Sequence, residues 1–143
     1  MTKFAVRKNA QGKLEILDRI RRKYVGCTDE EKVRQMTIVY LNETLSVPLS
    51  HIAVETALKV NNLSKRTDLV VCNILSKPVL IVECKAPSVK ITQDVFEQIA
   101  RYNLALQVNY LMVTNGVEQY FCRLNFEKQT FEFIPQLPDW SAL

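Results

Sequence analysis

Apolar residues recur along this chain in two rhythms, one helical and one extended. Thr28-Asp29-Glu30-Glu31 has the form of a capping box, in which a Thr hydroxyl covers the N–H three residues on. Val33, Met36, Tyr40 and Leu41 follow at helical spacing and predict a helix to about residue 44, ended by Val47-Pro48-Leu49. Three extended segments come next, over residues 52–60, 66–75 and 79–85. Only Ser76-Lys77-Pro78 separates the last two, which predicts a hairpin. Pro78 then starts the returning strand, where its missing N–H matters least. Thr92 is placed to cap a second helix running to about residue 108, with Val95, Ile99, Tyr102 and Leu106 on one face. Residues 109–114 read as a strand closed by the Asn115-Gly116 turn, and residues 118–123 and 130–134 as the final strands. The order is helix, three strands, helix, then two or three strands. It predicts an α/β sandwich around a mixed sheet.

Composition agrees with one globular domain. The chain has 143 residues, 48% hydrophobic and 24% charged, enough to bury a core without disulfides. With 3 glycines and 5 prolines it shows no linker or repeat. No apolar run nears the roughly 20 residues that cross a bilayer, and the first residues lack the apolar core of a signal peptide. These features read as a cytoplasmic protein with no membrane contact. The cysteines Cys27, Cys72, Cys84 and Cys122 are scattered and the one histidine, His51, has no partner at ligand spacing. A zinc site and His-based acid–base chemistry are therefore not expected.

Charge changes this picture at one end. Residues 1–23 carry Lys3, Arg7, Lys8, Lys13, Arg19, Arg21, Arg22 and Lys23 against Glu15 and Asp18, a balance of +6 within a chain of net +4. Residues 1–27 read as a basic N-terminal arm and residues 28–143 as the folded domain. Arg19, Arg21, Arg22 and Lys23 are its candidates for nucleic-acid contact. A solvated basic terminus accounts for the same charge equally well.

The chemistry concentrates in the second hairpin. Glu83 and Lys85 end a strand that is otherwise Val79-Leu80-Ile81-Val82, and alternation puts both on the face of Ile81. With a two- or four-residue loop, paired residue numbers sum to 153 by the loop geometry. Asp68 then lies opposite Lys85 and Val70 opposite Glu83, so that Asp68, Glu83 and Lys85 converge. A three-residue loop with a bulge would change that register. Two neighbouring carboxylates call for a cation, and Mg²⁺ takes oxygen ligands from one or two carboxylates together with water and phosphate. The Cys84 backbone carbonyl would add a ligand, and Lys85 would position a water and offset charge on phosphorus. Read without that convergence, the same residues are a surface Glu–Lys pair and a turn aspartate.

Taken together, Arg66-Thr67-Asp68 and Ile81-Val82-Glu83-Cys84-Lys85-Ala86-Pro87 resemble the core of the PD-(D/E)XK nuclease superfamily. Glu31-Lys32-Val33-Arg34-Gln35, Gln98-x-x-x-Tyr102 and Thr114-Asn115-Gly116 are similar to one branch of it, the N-terminal nuclease domain of type I restriction enzyme R subunits. The resemblance spans roughly residues 18–123. It implies a restriction-endonuclease-like α-β-β-β-α-β core with a mixed central sheet flanked by helices. It further implies Asp68 and Glu83 as ligands of Mg²⁺ (Mn²⁺ substituting) and Lys85 as the residue assisting water. Gln98 and Tyr102 would organise the site or touch DNA. Glu31 matches an acidic position that supports the metal in many members, and it also fits the helix cap. Glu55 stands in a strand where the branch often carries an acid. The first motif is Thr-Asp where the family has Pro-Asp, and no phosphate-binding loop of a motor domain is present.

The expectation is a Mg²⁺-dependent endodeoxyribonuclease of restriction or defence type. DNA would be its partner, with other restriction-system subunits and a homodimer also in view. The alternative is a nucleic-acid-binding or structural module of a multi-protein restriction system that cuts little alone.

Overall fold

The computed structural model describes residues 4–55, 57–60 and 63–143, with the backbone alone for residues 57–60 and 63–66. Strands β1 (Val6–Lys8), β2 (Leu14–Asp18) and β3 (Lys23–Gly26) form an antiparallel meander. The segment read as a basic arm is therefore pleated structure up to residue 26. Within it Ile16 and Asp18 are fully covered.

Helix α1 (Asp29–Glu43) starts where the capping signal places it, with Thr28 Oγ1 accepting the Glu31 N–H at 3.1 Å. Asp29, Glu30 and Glu31 fill its first turn, where carboxylates meet the positive end of the helix dipole. Its buried stripe is Val33, Thr37, Ile38 and Leu41, whereas Met36 is 47% exposed. Met36 and Tyr40 flank that stripe because each residue turns about 100°, and the buried face follows the 33–37–41 and 34–38 rows.

The segment after α1 is more broken than its apolar pattern suggests. In place of one strand over residues 52–60 there are β4 (Ile52–Val54) and β5 (Ala57–Val60), separated at Glu55, whose φ is 50°. That left-handed backbone cannot continue a strand. Among the described residues strand β6 (Leu63–Arg66) pairs with β5 alone, and β7 is confined to Leu69–Cys72. The side chain of Arg66 lies outside the described residues. Strand β8 covers Pro78–Cys84, beginning on the proline as expected.

The β7–β8 turn sets a different register from the one predicted. Asn73 Oδ1 accepts the Leu75 and Lys77 N–H groups at 3.0 and 3.1 Å, and Ser76 has φ 61°. This is a three-residue loop with a left-handed last residue, followed by a register shift between Val71 and Cys72. Leu69 pairs with Val82 and Val70 with Ile81, so numbers sum to 151 in the ladder. Asp68 consequently stands one step beyond Leu69, across from Glu83 and not Lys85. The slip is by two residues, and an even slip keeps every side chain on its predicted face.

Helix α2 (Gln93–Leu104) is capped by Thr92 Oγ1, which accepts from the Val95 N–H at 3.3 Å. It ends four residues before the predicted limit, with Gln107 at φ 57° beyond it. Its core face is Phe96, Ala100, Asn103 and Leu104; Tyr102, expected among the apolar residues, is 47% exposed. Strands β9 (Tyr110–Thr114), β10 (Gln119–Asn125) and β11 (Thr130–Ile134) complete the sheet.

Among the described residues the central sheet has the order β11-β10-β9-β8-β7-β4. Only β8 and β9 run parallel, which requires the crossover that α2 supplies. Leu80, Val82 and Cys84 pack with α1 residues Val33, Ile38 and Leu41 on one face. Ile81 and Leu111 pack with α2 residues Phe96, Ala100 and Leu104 on the other. The result is the mixed α/β sandwich the sequence predicts, one helix on each face.

Candidate active site

Strand β8 delivers charge to the end of an apolar sheet. Since Ile81 faces the α2 layer, Glu83 shares that face, and Lys85 follows two residues on by the same alternation. The Lys85 N–H donates to the Thr114 carbonyl at 2.8 Å, which ties this end of β8 to β9. Lys85 Nζ lies 4.0 Å from Glu83 Oε2, with the lysine side chain about a third exposed (36%) and the glutamate 13% exposed.

Asp68 sits where β7 and β8 part. Its Oδ2 accepts the Cys84 N–H at 2.7 Å, its Oδ1 lies 3.3 Å from Arg34 Nη2, and its carbonyl accepts the Glu55 N–H at 2.9 Å. The carboxylate thus stands in for a strand carbonyl at the last step of the ladder. Asp68, Glu83 and Lys85 come to one end of the sheet, as the alternation requires.

Behind Asp68 lies a charged layer in which the expected supporting acids Glu31 and Glu55 meet Arg34 and Arg21, with Asp18 behind them; the sequence assigned Arg34 and Asp18 no role. Arg34 Nη1 is 2.7 Å from Glu31 and 3.3 Å from Glu55, and only 7% of the Arg34 side chain is exposed. Arg21 reaches the same carboxylates from the β2–β3 turn, 3.5 Å from Glu55 and 4.0 Å from Glu31. Its Nε pairs with the buried Asp18 at 2.6 Å. Asp18 also accepts the Ile20 and Arg21 N–H groups at 2.9 and 3.1 Å, which holds the turn. Gln35 Nε2 donates to Glu31 at 3.2 Å while its Oε1 accepts the Arg19 N–H at 3.2 Å. Glu31 therefore turns to Arg34 and Gln35, and only the Thr28 half of the capping box forms. The clue in the sequence was the spacing: Glu31, Arg34 and Gln35 are three and four apart on one helical row.

Electrostatics follow this wiring. Burial opposes the charge on Arg34, but Glu31, Asp68 and Glu55 overcome it and raise its pKa. Burial likewise disfavours the Asp18 carboxylate, yet the bonds from Arg21 and the Ile20 N–H win, and its pKa falls below the usual value. The Cys84 thiol is pushed far up, first by burial and then by Asp68.

The remaining sequence candidates divide. Glu31 and Glu55 join the charged layer. Gln98 and Tyr102 lie on the exposed side of α2, away from its core face. Arg22 and Lys23 are exposed in the meander. Arg21 is engaged internally, and the Arg19 guanidinium lies over the Phe4 ring at 5.0 Å. His51 Nδ1 is 3.0 Å from the Asn73 carbonyl and its ring meets Trp140 edge-on, a structural placement. The cysteines are free, with Cys84 and Cys122 buried.

With this geometry in place, family comparison gives one decisive result. The family described as type I restriction enzyme R protein N terminus matches residues 29–138. The chain belongs to this family. The match includes α1, the β7–β8 hairpin, α2 and Asp68, Glu83 and Lys85, and begins after the meander that carries Asp18 and Arg21. No curated protein and no solved structure matches the chain. No helix among the described residues of this R-protein domain is long and apolar enough to cross a membrane.

The donor set bears on a metal in two ways. Among the described residues no group of three His, Cys, Asp or Glu side chains is arranged to hold an ion. Asp68 and Glu83 nonetheless offer hard oxygen donors at the partly open sheet end. A Mg²⁺-type ion needs no more than one or two carboxylates when water and substrate phosphate fill its shell. Asp18, Glu31, Glu55, Asp68 and Glu83 against Arg21, Arg34 and Lys85 leave a formal charge of −2. One divalent cation would cancel that charge.

Proposed function

We propose that this R-protein family domain hydrolyses phosphodiester bonds in DNA in a restriction or defence system, using a divalent cation. The observation that carries the reading is the Asp68 carboxylate bonded to the Cys84 N–H at 2.7 Å, which seats it beside Glu83 and Lys85. Asp68 and Glu83 would hold Mg²⁺, or Mn²⁺ in its place. The Cys84 carbonyl would be a further oxygen on the same strand edge as its N–H. A bound ion of this kind supplies Lewis acidity at a phosphoryl oxygen. Lys85 orients water toward phosphorus and stabilises charge that grows on the phosphate oxygens in the transition state. Arg34 holds Asp68 oriented from behind, its Nη2 3.3 Å from Oδ1. Arg22 and Lys23 add sequence-independent attraction for the DNA backbone, and Gln98 with Tyr102 extends the contact along α2. Other restriction-system subunits are the expected partners, and cutting both strands calls for a second copy of the site.

The test is cleavage of supercoiled plasmid and single-stranded DNA in Mg²⁺ and Mn²⁺, wild type beside Asp68→Ala and Lys85→Ala. Wild type should nick or linearise DNA, and both variants should lose that activity, Lys85→Ala while still binding DNA. Full activity in either variant would overturn its assigned role. No cutting by wild type on either substrate would favour a module that binds DNA without chemistry of its own.

A further inference from the structure

Arg34 is ringed by carboxylates. Three carboxylates from separate parts of the chain close on its guanidinium: Glu31 at 2.7 Å, Glu55 at 3.3 Å and Asp68 at 3.3 Å. They come from helix α1, from the turn after β4 and from the residue before β7. Glu55 is presented there by a left-handed backbone, with φ 50°, a conformation disfavoured for a glutamate. Arg34 itself is 6% exposed. Among the described residues its Nε has no hydrogen-bond partner, although buried guanidinium donors are normally satisfied. Charge, more than complete hydrogen bonding, accounts for its position.

We infer that Arg34 takes the place of a second divalent cation beside Asp68. The carboxylates it gathers would otherwise form an oxygen-ligand site sharing Asp68 with the ion proposed at Asp68 and Glu83. Two phosphoryl-transfer ions a few ångströms apart commonly share a carboxylate in this way. A guanidinium supplies the neutralising charge permanently, so one exchangeable ion remains. Arg21, fixed by Asp18, backs the same carboxylates from the meander. The second cationic position is thereby built from residues on both sides of the family boundary at residue 29. The count of one ion in the wild type rests on the reading of Asp68 and Glu83 as ligands; the assignment of Arg34 does not.

The experiment counts Mn²⁺ bound per full-length chain by titration calorimetry and by the electron-paramagnetic-resonance signal of free Mn²⁺. Wild type should bind one ion. Arg34→Met, which keeps the length but removes the charge, should bind one more than wild type, and Arg34→Lys should return to the wild-type count. The added ion should disappear in the double variant Arg34→Met, Glu31→Gln. Should Arg34→Met be unfolded without metal, Mn²⁺ should fold it where Na⁺ at equal ionic strength does not, as followed by circular dichroism. An Arg34→Met chain that binds no more ions than wild type, or stays unfolded in millimolar Mn²⁺, overturns the inference. Zero ions in wild type with one in Arg34→Met would support Arg34 as a cation substitute while removing the Asp68–Glu83 site. One ion in both would do the reverse.

Discussion

Asp68 ends the β7–β8 ladder with its side chain: Oδ2 takes the Cys84 N–H at 2.7 Å, where a partner-strand carbonyl would otherwise stand. One carboxylate oxygen is thus spent on the sheet and the other faces Arg34 at 3.3 Å. The site and the strand end are one construction, and changes at Asp68 have two consequences that can be separated.

Asp68→Ala leaves the Cys84 N–H without its acceptor and Arg34 short of one carboxylate. A stability loss of about 1–3 kcal/mol is expected from the orphaned donor. Asp68→Asn can still accept from Cys84 through its amide oxygen and should lose less than half as much, while losing Mn²⁺ affinity as fully as alanine. Urea unfolding of the three proteins measures the first effect and calorimetry the second. Equal destabilisation by Asn and Ala would show that the strand-end hydrogen bond is not what matters.

Asp18 gives the fold an acid-sensitive point. Its pKa is lowered in the folded chain because bonds from Arg21 and Ile20 outweigh burial. A depressed carboxylate pKa contributes stability that is complete above the unfolded value of about 4, and that stability is lost as pH falls through the folded value. Unfolding free energy should therefore drop, as pH falls below about 4, more steeply in wild type than in Asp18→Asn. Parallel pH profiles for the two would show that Asp18 carries no such linkage.

Arg22 and Lys23 are the exposed basic pair of the meander. If they meet phosphates, Arg22→Gln with Lys23→Gln should weaken DNA binding and reduce the slope of log K against log salt by about 1–2, each contact releasing roughly one counterion. Fluorescence anisotropy at several salt concentrations reads this directly. The substitutions are preferable to deleting residues 1–17, because that cut removes β1 and most of β2. An unchanged slope would place the DNA elsewhere.

Much of this arrangement was legible in the residues themselves, because it depends on short-range rules. Thr28 and Thr92 mark both helix starts, since a hydroxyl can cover a free N–H only at the first turn. The alternation of residues 79–85 places Glu83 with Ile81 on one face, and an even register slip left that intact. Helix faces were less legible. Met36 and Tyr102 fall outside the buried stripes because apolar character says only that a residue can be buried, and the neighbouring layer decides whether it is.

By itself the sequence determined both helix starts, the β7–β8 hairpin and the shared strand face of Glu83 and Lys85. Each follows from local periodicity, capping or strand alternation. The β1–β3 meander and the break at Glu55 were not legible in it. Only the tertiary structure decided the register, through the left-handed Ser76 and the bulge beside Val71. It alone also brought Asp18 and Arg21 of the meander, Glu31 and Arg34 of α1, and Glu55 of the β4–β5 break into one charged layer. Those residues are separated by as many as 37 positions, between Asp18 and Glu55. Spacing links only the local pairs Asp18–Arg21 and Glu31–Arg34; the contact between those pairs and Glu55 arises from packing α1 and the meander onto the sheet and from the need of buried carboxylates for a nearby cation.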